Sequence, residues 1–154
     1  MTTGKRAKLT QFLNQQYLCA SLTVKEVEIL LDYTELVEVN KDQIIADIGE
    51  VGEALFFVIK GEAALLHDEG GREIEVGRMQ EGELMGEMSF FDRHPRSLRM
   101  RALSPETQLL KLPRPMYQRL RVEHPYIAVN LLEHAIISLD RLVRHVSEDE
   151  ATLG

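Results

Sequence analysis

Between residues 36 and 112 glycine cuts the chain into short apolar or alternating runs, and this pattern limits the fold more than any other feature. Eight of the ten glycines lie in this stretch. The runs are Leu36–Val39, Gln43–Ile48, Leu55–Lys60, Ala63–His67, Glu73–Met79, Leu98–Leu103 and Gln108–Leu112. They are too short and too β-branched for helices, and turn residues separate them every ten residues or so. Spacing of that kind predicts an antiparallel β-roll or jelly roll. Glu69-Gly70-Gly71 between two runs reads as a tight hairpin, because glycine adopts the left-handed backbone such turns require.

The flanks have a different period. Leu9, Phe12 and Leu13, then Val24, Val27, Leu30 and Leu31, recur at three- and four-residue spacing, with Ser21 or Thr23 as N-cap. Pro113 and Pro115 open a short helix to about Val122, and His124-Pro125 ends it and starts another that runs to about Val146. The expected organisation is an N-terminal helical segment 1–21 and a domain 22–147, with the roll at 36–112 and helices at 113–147. A polar, acidic and disordered tail, 148–154, follows. The fold class is mainly β with flanking helices.

Length and composition exclude several functions. The 154 residues suit one domain, and a globular chain of that size buries roughly 68–70% of its unfolded surface without needing a staple. With 18 Lys and Arg against 25 Asp and Glu, the net charge is −7, which disfavours direct nucleic-acid binding. One cysteine, Cys19, rules out an internal disulfide and reads as a packing residue. No stretch approaches the roughly 20 apolar residues of a membrane span, and the basic start lacks a signal-peptide core. The expectation is a cytoplasmic protein. The histidines His67, His94, His124, His134 and His145 form no close His-x-His pair, so no metal site is expected.

The chemistry concentrates between Gly82 and Ala102. Gly86 leads a five-residue segment, Glu87 to Phe91, long enough for one helical turn whose N–H groups suit an anion. Arg96 alternates with Leu98, Met100 and Ala102, which places it on the inward face of a strand. An inward arginine is costly unless something negative meets it. Glu87 could be that partner, in a plain internal salt bridge. Alternatively a bound phosphate meets Arg96 and leaves Glu87 to accept from sugar hydroxyls, the chemistry of a nucleotide monophosphate site. Arg99 and Arg101 fall on the outer strand face, solvated or paired with acidic side chains.

This segment resembles the phosphate-binding cassette of the cyclic nucleotide-binding domain family. The family is shared by catabolite-activator-type regulators, regulatory subunits of cAMP-dependent protein kinase and cyclic-nucleotide-gated channels. Its pattern, Phe-Gly-Glu-Leu-Ala-Leu and then Pro-Arg-Ala-Ala-Thr, is matched by Met85-Gly86-Glu87-Met88-Ser89-Phe90 and Pro95-Arg96-Ser97-Leu98-Arg99. The run Gly49 to Gly61 resembles the upstream signature, Gly-Asp-x-Ala-Leu-Tyr-Phe-Ile-x-x-Gly. Together the similarity spans about residues 22–145.

The resemblance implies that Arg96 holds the cyclic phosphate, Glu87 takes the ribose 2′-hydroxyl, and the Met88 and Ser97 amides with the Ser97 hydroxyl complete the cradle. Gly86 would supply the backbone conformation. The candidate ligand-binding set is Gly86, Glu87, Met88, Ser89, Arg96, Ser97 and Leu98. Ser89, Phe90, Leu98 and Arg99 depart from the pattern, and Phe90 either narrows the pocket or fills core. In the family's kinase-type members a Thr at the place of Ser97 favours cGMP, whereas Ser is compatible with either base and is common in bacterial cAMP readers, which leads us to cAMP. By position alone, Arg141, Leu142 and His145 of the last helix are candidates to cap the base.

Val129, Leu132, Ile136, Leu139, Val143 and Val146 repeat at spacings of 3, 4, 3, 4 and 3, a heptad seam. Leu131, Ala135 and Leu142 form a second stripe beside it. Two stripes predict one face on the roll and one on a second subunit, the alternative being a single wide stripe. The family's transcription factors dimerise through this helix and continue into a DNA-reading domain; here about eight residues follow the helix, so no such domain is expected. The expected function is a non-enzymatic receptor that binds cAMP or cGMP and passes occupancy to an unidentified effector through its last helix. The alternatives are an interaction module with a degenerate pocket or another nucleotide ligand, and, ranked third, a cupin-type metalloenzyme.

Overall fold

The structure, a computed structural model, describes residues 2–16, 19 and 21–138. Two helices come first, α1 (Thr3–Gln15) and α2 (Val24–Asp32). Thr23 caps α2, and Glu26 reaches back to the Thr23 N–H in a reciprocal capping box. Strands β1 (Glu35–Val39), β2 (Ile44–Ala46), β3 (Ala54–Lys60), β4 (Ala63–Glu69), β5 (Arg72–Met79) and β6 (Leu84–Met85) follow. Then come a short helix α3 (Glu87–Asp92), strands β7 (Arg99–Ala102) and β8 (Thr107–Pro113), and helix α4 (Arg114–Glu123). A further helix, α5, is described over residues 125–138.

The strands form two four-stranded antiparallel sheets, ordered β1-β8-β3-β6 and β2-β7-β4-β5. The expected β-roll with flanking helices is what the chain adopts. The β4–β5 hairpin turns at Gly70 and Gly71, with φ of 64° and 82°, the left-handed pair that a tight two-residue hairpin demands.

Why β3 is apolar at nearly every position follows from its surroundings. Ala54, Phe56 and Val58 face the interior of the roll with Leu65, Met79, Met100 and Leu109. Leu55, Phe57 and Ile59 face the other way, into a second core shared with Leu9 and Leu13 of α1, Val27 and Leu30 of α2, Leu120 of α4 and Leu131 of α5. A strand covered on both faces loses the usual alternation. Cys19 is fully buried in that second core, and burial pushes its thiol up to about 12, so it is a packing residue.

Two expectations need correction. The roll has one more strand than the seven runs: Leu84–Met85 is buried on both sides and too short to alternate. Arg96 does not begin a strand, since β7 starts only at Arg99.

Candidate nucleotide pocket

A cavity of about 300 Å³ opens between α3, the loop after it and the inner face of the β4–β5–β7 sheet. That is the lower end of small-molecule sites. Its lining is apolar and rich in methionine, including Met79, Met85, Met88 and Met100 with Leu65 and Leu98. Two charged side chains, Glu87 and Arg96, sit deep in that lining, at 4% and 7% exposure.

Backbone geometry puts both there. Gly86 is the N-cap of α3 at φ 85°, a left-handed conformation that turns the chain from β6 into the helix with Glu87 as its first residue. A side chain on Gly86 would also stand 3.1 Å from Arg96 Nη1, so glycine leaves room for the guanidinium. Arg96 is held by its main chain: its N–H donates to Glu50 O at 2.7 Å, and its carbonyl accepts from Gly49 N at 2.8 Å. A bridge between Val51 and Pro95 continues that pairing. The inward direction expected for Arg96 is therefore correct, and an irregular segment produces it where strand alternation was expected to do so.

The charges are not neutralised by each other. Arg96 donates only to two carbonyl oxygens, Gly86 O at 3.3 Å and Ala54 O at 3.4 Å, and among the described residues no ion pair reaches it. Burial lowers its pKa, against the pull of Glu50 and Glu87. The internal salt bridge is absent. Glu87 accepts from Ser138 Oγ of α5 at 3.0 Å. Burial raises the Glu87 carboxyl above its ordinary range, outweighing its own backbone N–H, Ser138 and the attraction of Arg96.

That raised pKa has a testable sign. A carboxyl pushed up on folding contributes full stability below its unfolded pKa of roughly 4.3, and the contribution is lost as pH climbs through the folded value. Glu87→Gln should thus melt a few degrees higher than the native, ligand-free protein at pH 7. At pH 4 the two should melt together. Thermal unfolding across that range checks it, and equal curves at neutral pH would refute it.

The other expected residues divide. Met88, Ser97 and Leu98 line the cavity, Met88 and Ser97 being exposed at its rim. Ser89 also borders it, but its hydroxyl donates to His94 O and accepts from Gly52 N at 2.7 Å, tying α3 to its neighbours. Phe90 is wholly buried in the helix-side core and fills no part of the pocket. Arg99 pairs with Asp47 at 2.7 Å and Glu73 at 3.0 Å, and Arg101 with Glu73 at 2.9 Å, on the outer face as expected. The base-capping candidates Arg141, Leu142 and His145 lie outside the described residues.

Two contributors escaped the sequence reading. Arg114, the first residue of α4, donates its guanidinium N–H groups to the carbonyls of Gly52 and Phe90 and stacks 4.5 Å above the Phe90 ring. It clamps the end of α3 to the start of α4. Ser138 continues the Leu131–Ala135 stripe on the face of α5 that meets the roll, and that spacing is the signal that could have found it.

The family model for the cyclic nucleotide-binding domain matches residues 36–124. The chain belongs to the cyclic nucleotide-binding domain family. This cyclic nucleotide-binding domain is 31% identical to the catabolite activator protein of Thermus thermophilus, with a TM-score of 0.73 over 88% of this chain and 62% of that one. A cyclic nucleotide-binding domain from Methylobacillus flagellatus superposes with a TM-score of 0.84 at 21% identity, over 98% of this chain and 85% of that one. Among curated proteins, the lysophospholipase NTE1 of Pyricularia oryzae is 33% identical over 99 residues, 63% of this chain and 6% of that protein's length. The chain thus spans a small fraction of such a relative. The matched family is defined by ligand binding, and its pocket here contains no group of three His, Cys, Asp or Glu residues able to hold a metal among the described residues. No described helix is long and apolar enough to cross a membrane.

Proposed function

We propose that the domain is a cAMP receptor in which Arg96 binds the cyclic phosphate and Glu87 the ribose 2′-hydroxyl. One observation carries this reading: a buried guanidinium without a carboxylate partner and a buried carboxylate face the same cavity. A guanidinium paired to an anionic phosphate regains the charge-assisted hydrogen bonds that its two long carbonyl contacts do not provide. A sugar hydroxyl donates, and the Glu87 carboxylate, met by Ser138 and its own backbone N–H, keeps acceptor capacity for one. Met88 and Ser97 stand at the rim where cradle amides are needed. Ser97, not Thr, is the reason for naming cAMP before cGMP. Calorimetry of the native chain with cAMP and cGMP tests the proposal: saturable binding with cAMP the tighter supports it, and no heat with either overturns it.

The reading includes transmission through α5 to a second subunit or an effector. Ile127, Ala128, Leu131 and Ala135 are buried against the body, whereas Val129 is 48% and Ile136 65% exposed and Leu132 is half-buried. The helix therefore presents a second apolar stripe where the heptad seam predicts one; Leu139, Val143 and Val146 of that seam lie outside the described residues. A two-fold pairing of these stripes makes a homodimer. Light scattering should give twice 17.6 kDa for the native chain and 17.6 kDa for Val129→Asp/Ile136→Asp, because each new carboxylate would be buried unpaired. A native mass of 17.6 kDa removes the dimer.

A further inference from the structure

Besides the packing of Ile127, Ala128, Leu131 and Ala135, side-chain hydrogen bonds tie the described part of helix α5 to the rest of the domain. Near its start, Ser21 Oγ hydrogen-bonds Asn130 and Tyr126 Oη donates to Ser21 O at 3.2 Å, fixing that half to the segment before α2. At the last described residue, Ser138, Oγ lies 3.0 Å from Glu87 Oε1 and 3.5 Å from Leu84 O. A hydroxyl has one proton to donate, and the shorter contact to the carboxylate takes it. So a hydroxyl from α5 already stands on the carboxylate that lines the pocket.

We propose that Ser138 is an internal competitor for the ribose: its hydroxyl holds Glu87 Oε1 in the ligand-free domain, and the sugar 2′-hydroxyl takes that same oxygen on binding. This rests on the assignment of Glu87 to the ribose and adds a threshold and a direction to it. Each binding event exchanges one O–H···carboxylate hydrogen bond for another, so the ribose contact gains little affinity on balance. What it does is release α5 at Ser138 from the cassette. Occupancy of the sugar site then reaches the helix through one hydroxyl, without requiring the whole roll to move. A ligand with no 2′-hydroxyl leaves the Ser138 contact intact and binds without releasing the helix.

The test uses the full chain, with cAMP and 2′-deoxy-cAMP as probes, in calorimetry on the native protein, Ser138→Ala and Ser138→Thr. With the competitor removed, Ser138→Ala should bind cAMP about 3- to 10-fold more tightly, the worth of one net hydrogen bond. Affinity for 2′-deoxy-cAMP should stay within about twofold, since that ligand does not compete. Ser138→Thr keeps the hydroxyl and should restore the native values. Weaker cAMP binding by Ser138→Ala would make Ser138 a ligand contact and overturn the proposal, as would unchanged affinity. If the native chain binds neither probe, the cAMP assignment fails by itself and amide exchange of the ligand-free protein decides the contact. Ser138→Ala should then speed exchange over residues 132–138, an effect helix propensity cannot mimic because alanine is the better helix former. Unchanged or slower exchange overturns it.

Discussion

Arg96→Ala should weaken cAMP binding at least about 10- to 100-fold while the domain still folds. A charge-assisted hydrogen bond is worth roughly 1.5–3 kcal/mol, and each 1.4 kcal/mol is about a factor of ten in affinity. The phosphate is the only full charge on the ligand, and among the described side chains lining the cavity Arg96 is the buried cation. Folding survives for the same reason that binding fails. The ligand-free protein keeps a desolvated guanidinium on two carbonyl contacts of 3.3 and 3.4 Å, and alanine removes that burden. Calorimetry and thermal unfolding of the variant give both numbers. Native-like affinity would mean the phosphate sits elsewhere; a collapsed melting transition would mean the guanidinium is a structural group.

Gly52→Ala is the second large effect, and here the damage is to the cassette itself. Gly52 does not have a positive φ, so the backbone could accept a side chain; the surroundings could not. A Cβ at this position would lie 2.5 Å from Phe90 N, 2.7 Å from Ser89 C and 2.9 Å from Phe90 Cα, all main-chain atoms of α3. Backbone cannot rotate aside as a flexible side chain can, so the helix must move bodily. That movement strains three ties at once: Gly52 N to Ser89 Oγ and the two carbonyl contacts of Arg114. Overpacking of this kind costs about 1–3 kcal/mol, and each kcal/mol lowers the melting point of a domain this size by about 2–4 °C. Because Glu87 begins the displaced helix, cAMP affinity should fall as well. A melting point within a degree of native would show that α3 yields more easily than its contacts imply.

How much of this could be read without coordinates depends on the range of each signal. The strands were legible because alternation and glycine punctuation are local, and the Glu87–Arg96 spacing was legible because both lie in one short segment. Strand β6 was not, since two residues buried on both faces carry no period. Helix α1 begins at Thr3, where Thr2 caps it, and this start is not legible from the apolar residues at 9, 12 and 13 because Gly4, Lys5, Arg6 and Lys8 carry no apolar period. The contacts of Arg114 and Ser138 were beyond reach for another reason: the partners lie 24 to 62 residues away, and nothing in the local pattern of either residue marks the destination. Arg96 is the instructive case. Alternation predicted its direction, yet pairing with Gly49 and Glu50 sets it.

Strand β3 assigns its residues by parity. Its even-numbered members, Ala54, Phe56 and Val58, pack in the roll interior behind Leu65, Met79, Met85 and Met100, which line the cavity, and its odd-numbered members, Leu55, Phe57 and Ile59, pack where the helices dock. One strand therefore carries two independent vocabularies, interleaved letter by letter. Substitution at 56 or 58 can repack the core behind the cavity lining and leave the helix-side core in place, and substitution at 55, 57 or 59 can do the reverse. A lineage that drifts at only one parity would rewrite one core and leave the other word for word.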